Sequence, residues 1–274
     1  MVISRIRKYL FSFTAVFCIA ASICLQVWAG DIAIFGDSQG NESIQRELVK
    51  TICIHKPSVI FRVGDIVDDG TDPAQWKAFR DIDGPLLKST EYYPALGNHE
   101  RDSGLYFKEF PWVQNKRWYS VDYETIHFIV LDSNSALSTD SEQYKWLVSD
   151  LKGVKDTVRF KIILFHHPLF NVGKRHLPDQ KKLKDILLPI FRKYRVTAIF
   201  SGHDHDYQRF EYASMAFIVT GGGGAGLEDQ GRPSPYLLGF AKVYHFCLLS
   251  VDGNFIRIQV IDINNKVIDD FRIQ

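Results

Sequence analysis

Cysteine and methionine are scarce, with four and two residues in a chain of 274. That excludes a disulfide-dense scaffold as the source of stability. No charge of one sign dominates either. The net charge is +1, and residues 30–274 carry 30 basic against 32 acidic side chains. A broad basic field is therefore missing, and nucleic-acid binding as the main role is excluded with it. Internal repeats, low-complexity tracts and long Pro/Ser linkers are absent, so no boundary divides the chain after residue 30. What is present is ordinary globular material, 46% apolar and 24% charged, enough for one large domain.

One long apolar run occurs, over residues 9–29, and it follows Arg5, Arg7 and Lys8. A basic start, an apolar stretch and a small-residue ending at Ala29 predict a secretory signal. The same run is long enough to cross a bilayer, so an uncleaved anchor is the rival, and a buried helix the third reading. Residues 1–29 are thus read as signal peptide or membrane anchor, residues 30–274 as the domain, and the protein as exported. A membrane is a partner only if the segment stays uncleaved. Cys18 and Cys24 lie in the run without the small preceding residues a lipid-attachment site needs. Cys53 and Cys247 sit among apolar neighbours, where two separate thiols fit at least as well as a bridge.

Short apolar runs recur over residues 32–35, 59–63, 93–96, 126–131, 160–165 and 196–200. Their β-branched content and glycine boundaries predict buried strands. Helices are predicted between them. Asn41 can cap one that carries Ile44, Leu48 and Ile52. Asp140 or Ser141 can start a second with Tyr144, Leu147 and Leu151. A third holds Leu183, Ile186, Leu187 and Ile190, with Pro189 as a possible bend. From Tyr244 the pattern becomes hairpins, with turns at residues 252–254 and 264–265. The fold class predicted is α/β, a layered sandwich.

Each strand of the first set ends in polar residues of metal-binding type. Asp37 follows the first, Asp65 the second, and Asn98 with His99 the third. His166 ends a later strand, and His203 and His205 end another. In α/β sheets, ligands bind beyond the carboxyl ends of strands, and His and Asp are ligands for zinc, iron and manganese. In an extended segment His203 and His205 would point the same way. Singly each pair reads as a turn or a cap; five in succession point to metal.

The order Gly36-Asp37, Gly64-Asp65, Gly97-Asn98-His99-Glu100, His166, Gly202-His203-Asp204-His205 resembles the calcineurin-like metallophosphoesterases. The close at residues 202–209 is most similar to the purple acid phosphatase branch. The resemblance implies a four-layer α-β-β-α sandwich of two mixed sheets with two metal ions, iron, manganese or zinc, at the strand ends. It implies Asp65 as the bridging ligand, Asp37 and His205 on the first metal, and Asn98, His166 and His203 on the second. His99 would be catalytic, beside the leaving group. Two positions depart from the pattern. The wider family usually has histidine where this chain has Gln39, and purple acid phosphatases have tyrosine where it has Asp68. Gln39 is retained as a candidate ligand through its amide oxygen, and no purple colour is expected without the tyrosinate.

Two cations about 3.5–4 Å apart bind phosphoryl oxygens and generate a bridging hydroxide at neutral pH. His99 can supply the proton to the leaving group. The reading is an exported phosphoric-ester hydrolase acting on a small phosphorylated substrate, a phosphomonoesterase of acid-phosphatase type. A phosphodiesterase and a weakly catalytic binding protein on the same scaffold are the alternatives. Secondary readings are these. Glu100 orients His99 or faces solvent. His167 packs or hydrogen-bonds beside His166. Arg209 touches substrate or pairs with a carboxylate. Residues 221–226 form tight backbone at the site rim. The aromatic stretch 106–119 packs in the core or walls the cleft. Lys174, Arg175 and His176 greet an anion or lie on solvated surface.

Overall fold

The computed structural model describes residues 31–176 and 181–274. The leader predicted over residues 1–29 lies outside them. Among the described residues no helix is long and apolar enough to cross a membrane.

Among the described residues thirteen strands and five α-helices follow one another. They are β1 Ile32–Phe35, α1 Glu42–His55, β2 Val59–Arg62, α2 Pro73–Ser89, β3 Glu91–Pro94, α3 Gly104–Glu109, β4 Tyr119–Tyr123 and β5 Ile126–Val130. Then come α4 Glu142–Gly153, β6 Phe160–Leu164, α5 Lys181–Lys193, β7 Ala198–Ser201, β8 Tyr207–Tyr212, β9 Met215–Thr220, β10 Leu237–Ala241, β11 His245–Asp252, β12 Phe255–Asp262 and β13 Val267–Ile273. One sheet has the order β13-β12-β11-β1-β2-β3, the other β10-β8-β9-β7-β6-β5-β4. Both are mixed: β1, β2 and β3 run parallel, as do β5, β6, β7 and β9, while the flanking pairs are antiparallel.

Side-chain alternation shows how the layers stack. Phe128, Val130, Ile162, Leu164, Ala198 and Phe200 join the core shared with the six-stranded sheet and α1 and α2. Their neighbours Ile129, Leu131, Ile163, Phe165 and Ile199 join a second core with Leu147 and Leu151 of α4 and Leu187 and Phe191 of α5. Period-two strands with both faces apolar must be covered twice, which yields the four-layer sandwich. Each fully buried large apolar side chain contributes about 1.5–3 kcal/mol.

The predicted helices form with the expected signals. Asn41 accepts from the Ile44 N–H, and Ser141, not Asp140, caps α4 through Tyr144 N–H. Pro189 lies inside α5 without ending it. The tail is two hairpins. The third strand lies at Glu91–Pro94, earlier than residues 93–96, because its register is set by pairing Val59 with Glu91. Helix α2 is an element the periodicity hid: Asp72 caps it and Trp76, Phe79, Ile82 and Leu86 are buried, but Asp83, Gly84 and Pro85 interrupt the pattern. Cys53 and Cys247 are unpaired. The stretch 106–119 is mainly core: Tyr106 and Phe110 pack on Trp76 and Phe79.

Beneath the strand ends lies a buried ion pair. Arg62 Nη1 donates to Asp83 Oδ2 at 2.7 Å and to the Tyr92 hydroxyl at 2.8 Å. Tyr92 and Gln45 also donate to Asp83, at 2.7 and 2.9 Å. Arg62 reaches Ser38 Oγ, which in turn donates to the Ile66 carbonyl. The network ties α1, β2, α2 and β3 to the residues that follow Asp37 and Asp65.

Removing one partner of a buried pair leaves an uncompensated charge. Asp83→Ala is expected to lower the unfolding free energy by about 3–5 kcal/mol in a urea titration, and a loss below about 1 kcal/mol would refute the role given to the network. A second prediction concerns pH. His245 is buried, and burial pushes its imidazole down to about 4. The unfolded chain therefore takes up a proton that the folded chain refuses between about pH 6.5 and 4, and stability falls as pH falls through that window. The contribution lost is about 3 kcal/mol. His245→Gln is expected to flatten this part of a plot of urea midpoint against pH.

Candidate metal centre

The strand ends of both sheets converge on one spot. Asp37, Asp65 and His203 hold it in a left-handed backbone conformation, at φ 58°, 51° and 73°. Such angles cost a non-glycine residue about 1–2 kcal/mol and persist only where surroundings enforce them. The enforcing contacts are visible. Asp37 N–H donates to the Gly64 carbonyl at 3.0 Å, and Ser38 N–H to the Asp65 carbonyl at 3.0 Å. His203 N–H donates to Asp37 Oδ1 at 2.9 Å, and His99 N–H to Asp65 Oδ1 at 2.9 Å.

Glu100 supplies the largest share of this order. Fully buried, it accepts from the Asp65 N–H at 3.1 Å, the Ile66 N–H at 2.8 Å and the Gly97 N–H. It neither orients the His99 ring nor faces solvent, which corrects both sequence readings. A carboxylate following His99 falls one residue too far along a tight turn to reach the ring, and turns inward to the amides. Burial, then the neighbouring Asp65 charge, pushes its carboxyl up to about 7.

His166 sits at the centre. Its Nδ1–H donates to the Val63 carbonyl at 2.9 Å, which leaves Nε2 facing inward. Around Nε2 lie Asn98 Oδ1 at 3.0 Å, His203 Nδ1 at 3.1 Å and Asp65 Oδ2 at 3.2 Å. Burial works against a charge on His166, but Asp65 and then Asp37 outweigh it and raise the imidazole to about 10. Burial and the facing His166 press His203 down to about 2. For Asp65, burial alone would raise the carboxyl; His166 overrides it and holds the group well below its usual range.

Asp37 and His205 form a second group. His205 Nδ1–H donates to the Gly226 carbonyl at 3.1 Å, and its Nε2 lies 3.7 Å from Asp37 Oδ1. Asp37 Oδ2 and Gln39 Oε1 are buried and have no hydrogen-bond partner among the described residues. Gln39 Nε2 donates to Asp65 Oδ2 at 3.3 Å. All seven candidate ligands and His99 thus come to one place. His203 and His205 do not point the same way, however. Residues 203–206 are bends and not strand, with Asp204 N–H donating to the Gly202 carbonyl and Asp206 N–H to the Asp204 carbonyl. One ring faces His166 and the other Asp37.

Asp68 turns from Asp37 toward His99, its Oδ1 3.3 Å from Nδ1. The His99 Nδ1–H donates to the Asp68 carbonyl at 2.7 Å, and Nε2 stands 3.9 Å from Asp65 Oδ2. His167 is held by Ser133 Oγ at 2.8 Å beside His166 and His203. Arg209 pairs with Asp269 at 2.8 Å, away from any substrate role. Residues 221–226 form the expected rim: Gly223 N–H bonds the Gly36 carbonyl and Ala225 N–H the Asp37 carbonyl. His176 stacks on His203 with ring centroids 3.8 Å apart. A cleft of about 260 Å³, lined by Ser38, Gln39, Gln45, Asp68 and Gln75, opens beside Gln39.

This geometry has relatives. The family model for calcineurin-like phosphoesterases matches residues 30–207. The chain belongs to that family. Among curated proteins, a calcineurin-like phosphoesterase of this kind is 33% identical over 167 residues to purple acid phosphatase 1 of Ipomoea batatas, covering 53% of this chain and 35% of that protein. It is 35% identical over 118 residues to the purple acid phosphatase of Glycine max, covering 42% and 25%. The chain thus spans well under half the length of these curated relatives. Among solved structures, purple acid phosphatase PPD1 from yellow lupin (Lupinus luteus) seeds superposes with a TM-score of 0.75 at 20% identity, over 89% of this chain and 53% of that one. Plasmodium GAP50, described as the anchor in the inner membrane complex, superposes with a TM-score of 0.76 at 20% identity, over 89% and 88%. At that identity both confirm the fold alone.

Close approach at Gly97 makes it a test of the centre. A Cβ there would fall 2.1 Å from Asp65 Oδ1 and 2.3 Å from Asp65 N. Gly97→Ala is expected to cut the manganese bound per chain, measured by plasma mass spectrometry, by half or more. Gly84→Ala, with nothing within 4 Å, is the control that leaves it unchanged.

Proposed function

We propose that this protein is an exported, dinuclear metal-dependent phosphomonoesterase acting on small phosphorylated substrates. The observation that carries the reading is the convergence on His166 Nε2 of Asn98 Oδ1, His203 Nδ1 and Asp65 Oδ2 within 3.2 Å. A proton on His166 now offsets the facing Asp65, Asn98 and His203 atoms, and a metal cation would take its place with all four as ligands. Asp65, Asn98, His166 and His203 would hold one ion. Asp37, His205 and Gln39 would hold the other with Asp65 shared, and the unpartnered Asp37 Oδ2 and Gln39 Oε1 supply the missing contacts. An amide in place of an imidazole favours a harder ion at this position, manganese or iron(II) over zinc.

When bound, the ions supply a hydroxide nucleophile at neutral pH and neutralise phosphoryl charge. The chain's own residues do the rest. Glu100 fixes the loops that present Asp65 and Asn98. His99, anchored at Nδ1 by the Asp68 carbonyl, presents Nε2 on the Asp65 side and, in its doubly protonated form, gives the Nε2 proton to the departing oxygen, leaving the neutral imidazole. The 260 Å³ cleft accepts the alcohol. Export rests on the basic-then-apolar start of the sequence.

The substitution at Gln39 also favours a second reading, a binding protein on this scaffold. Hydrolysis of an aryl phosphate by chelated protein, titrated with manganese, zinc and iron(II), separates the two. Activity restored by metal and absent from Asp65→Asn is expected. His99→Ala should lower turnover about 10²–10⁴-fold with metal content intact. A folded protein that binds no stoichiometric metal would instead establish the binding reading. Faster hydrolysis of the bis-ester than of the monoester would make it a diesterase.

A further inference from the structure

Beside the centre, and touching it where His205 Nδ1 stands 3.9 Å from Glu228 Oε1, lies a second group of ligands. Asp204 and Asp206 are fully buried and Glu228 is 7% exposed. Three carboxylates in one buried place repel one another and lose their hydration. The partners present do not offset this. The Gln208 amide donates to Asp204 Oδ2 at 3.3 Å and to Asp206 Oδ1 at 2.8 Å. Arg175 Nη1 donates to Glu228 Oε1 at 3.1 Å, from a side chain that is 61% exposed. His176 Nδ1 is 2.8 Å from Asp204 Oδ1. Two oxygens, Asp206 Oδ2 and Glu228 Oε2, are buried with no hydrogen-bond partner among the described residues.

Within this group His176, Asp204 and Glu228 each bring a ligand atom to within 4.8 Å of the other two. One imidazole and two carboxylates is a ligand set for zinc or manganese, with a further position for water. A proton now lies between His176 Nδ1 and Asp204 Oδ1; a divalent ion can take its place. The side chain of His176 is 28% exposed, which provides an entry path.

We infer that His176, Asp204 and Glu228 form a further divalent-cation site of zinc or manganese type, separate from the centre at Asp65. An ion there joins residues 171–176 to the turn that carries His203 and His205, and to the segment after the glycine run. Its role is to fix that loop against the centre. The inference does not rest on the proposed activity, because metal stoichiometry reads it directly.

The test uses the full chain, stripped with a chelator, re-equilibrated with zinc and assayed by equilibrium dialysis with plasma mass spectrometry. Asp204→Asn combined with Glu228→Gln is expected to remove one equivalent of zinc per chain. The loss should be the same in the Asp65→Asn background, where the centre itself is impaired. An unchanged count in both backgrounds, with circular dichroism showing a folded chain, would overturn the site. If the double variant does not fold, His176→Ala decides, since it removes one partly exposed ring. In the Asp65→Asn background it is expected to weaken one zinc equivalent at least tenfold, and unchanged affinity would overturn the site.

Discussion

Three backbone amides donating to one buried carboxylate hold this molecule's working end together. Glu100 grips the N–H groups of Asp65, Ile66 and Gly97, and so welds the loop after β2 to the loop after β3. The strained backbone at Asp65 depends on it, because the left-handed conformation needs its amide satisfied from that side. His99 then donates back to Asp65. Without this clasp neither carboxylate nor amide ligand would have a defined place.

A second constraint is charge. The interior beneath the strand ends is crowded with acids. Asp83 is offset by Arg62, the one fully buried guanidinium among the described residues. Asp37 and Asp65 are offset by the facing His166, and Glu100, beside the Asp65 charge, by its backbone amides and the Arg62 and His166 charges. The facing carboxylates of Asp65 and Asp37 raise His166, while burial and the His166 charge lower His203. The same crowding recurs around Asp204, Asp206 and Glu228. Stability and chemistry therefore pull in opposite directions here. The sandwich core, the hairpins and the Arg62–Asp83 network supply the rigidity that the ligand cluster subtracts.

Much of the fold was legible because its periodicities are strong. Strand β1 reads as an unbroken apolar run, and β2, β5 and β6 are apolar runs broken by a single residue each, Arg62, His127 and Lys161. Helices α1 and α4 carry side-chain caps that the sequence announces. Helix α2 was not legible, since Asp83 is buried by its pairing with Arg62, and no local pattern reveals a partner 21 residues away. Strands β4 and β8 mix polar with apolar residues and β10 is apolar but partly exposed around Gly239, so their pairing comes from the sheet and not from their own composition. At the site, residue types at the strand ends pointed to Asp37, Asp65, Asn98, His99, His166, His203 and His205, and Gln39 came in only through the family resemblance; the inward turn of Glu100 and the bends that separate His203 from His205 were not legible.

What the sequence alone determined is the inventory: which acids, amides and imidazoles follow which strands, and hence the chemistry the family shares. Order along the chain suffices for that, because parallel strands deliver their carboxyl ends to one edge. What only the tertiary structure decided is which atom faces which. It set Asp68 on His99 and not on Asp37, left Gln39 Oε1 without a partner among the described residues, and brought His176, 28 residues from Asp204, into contact with it. Those outcomes depend on backbone angles and on packing between distant segments. A local residue pattern carries neither.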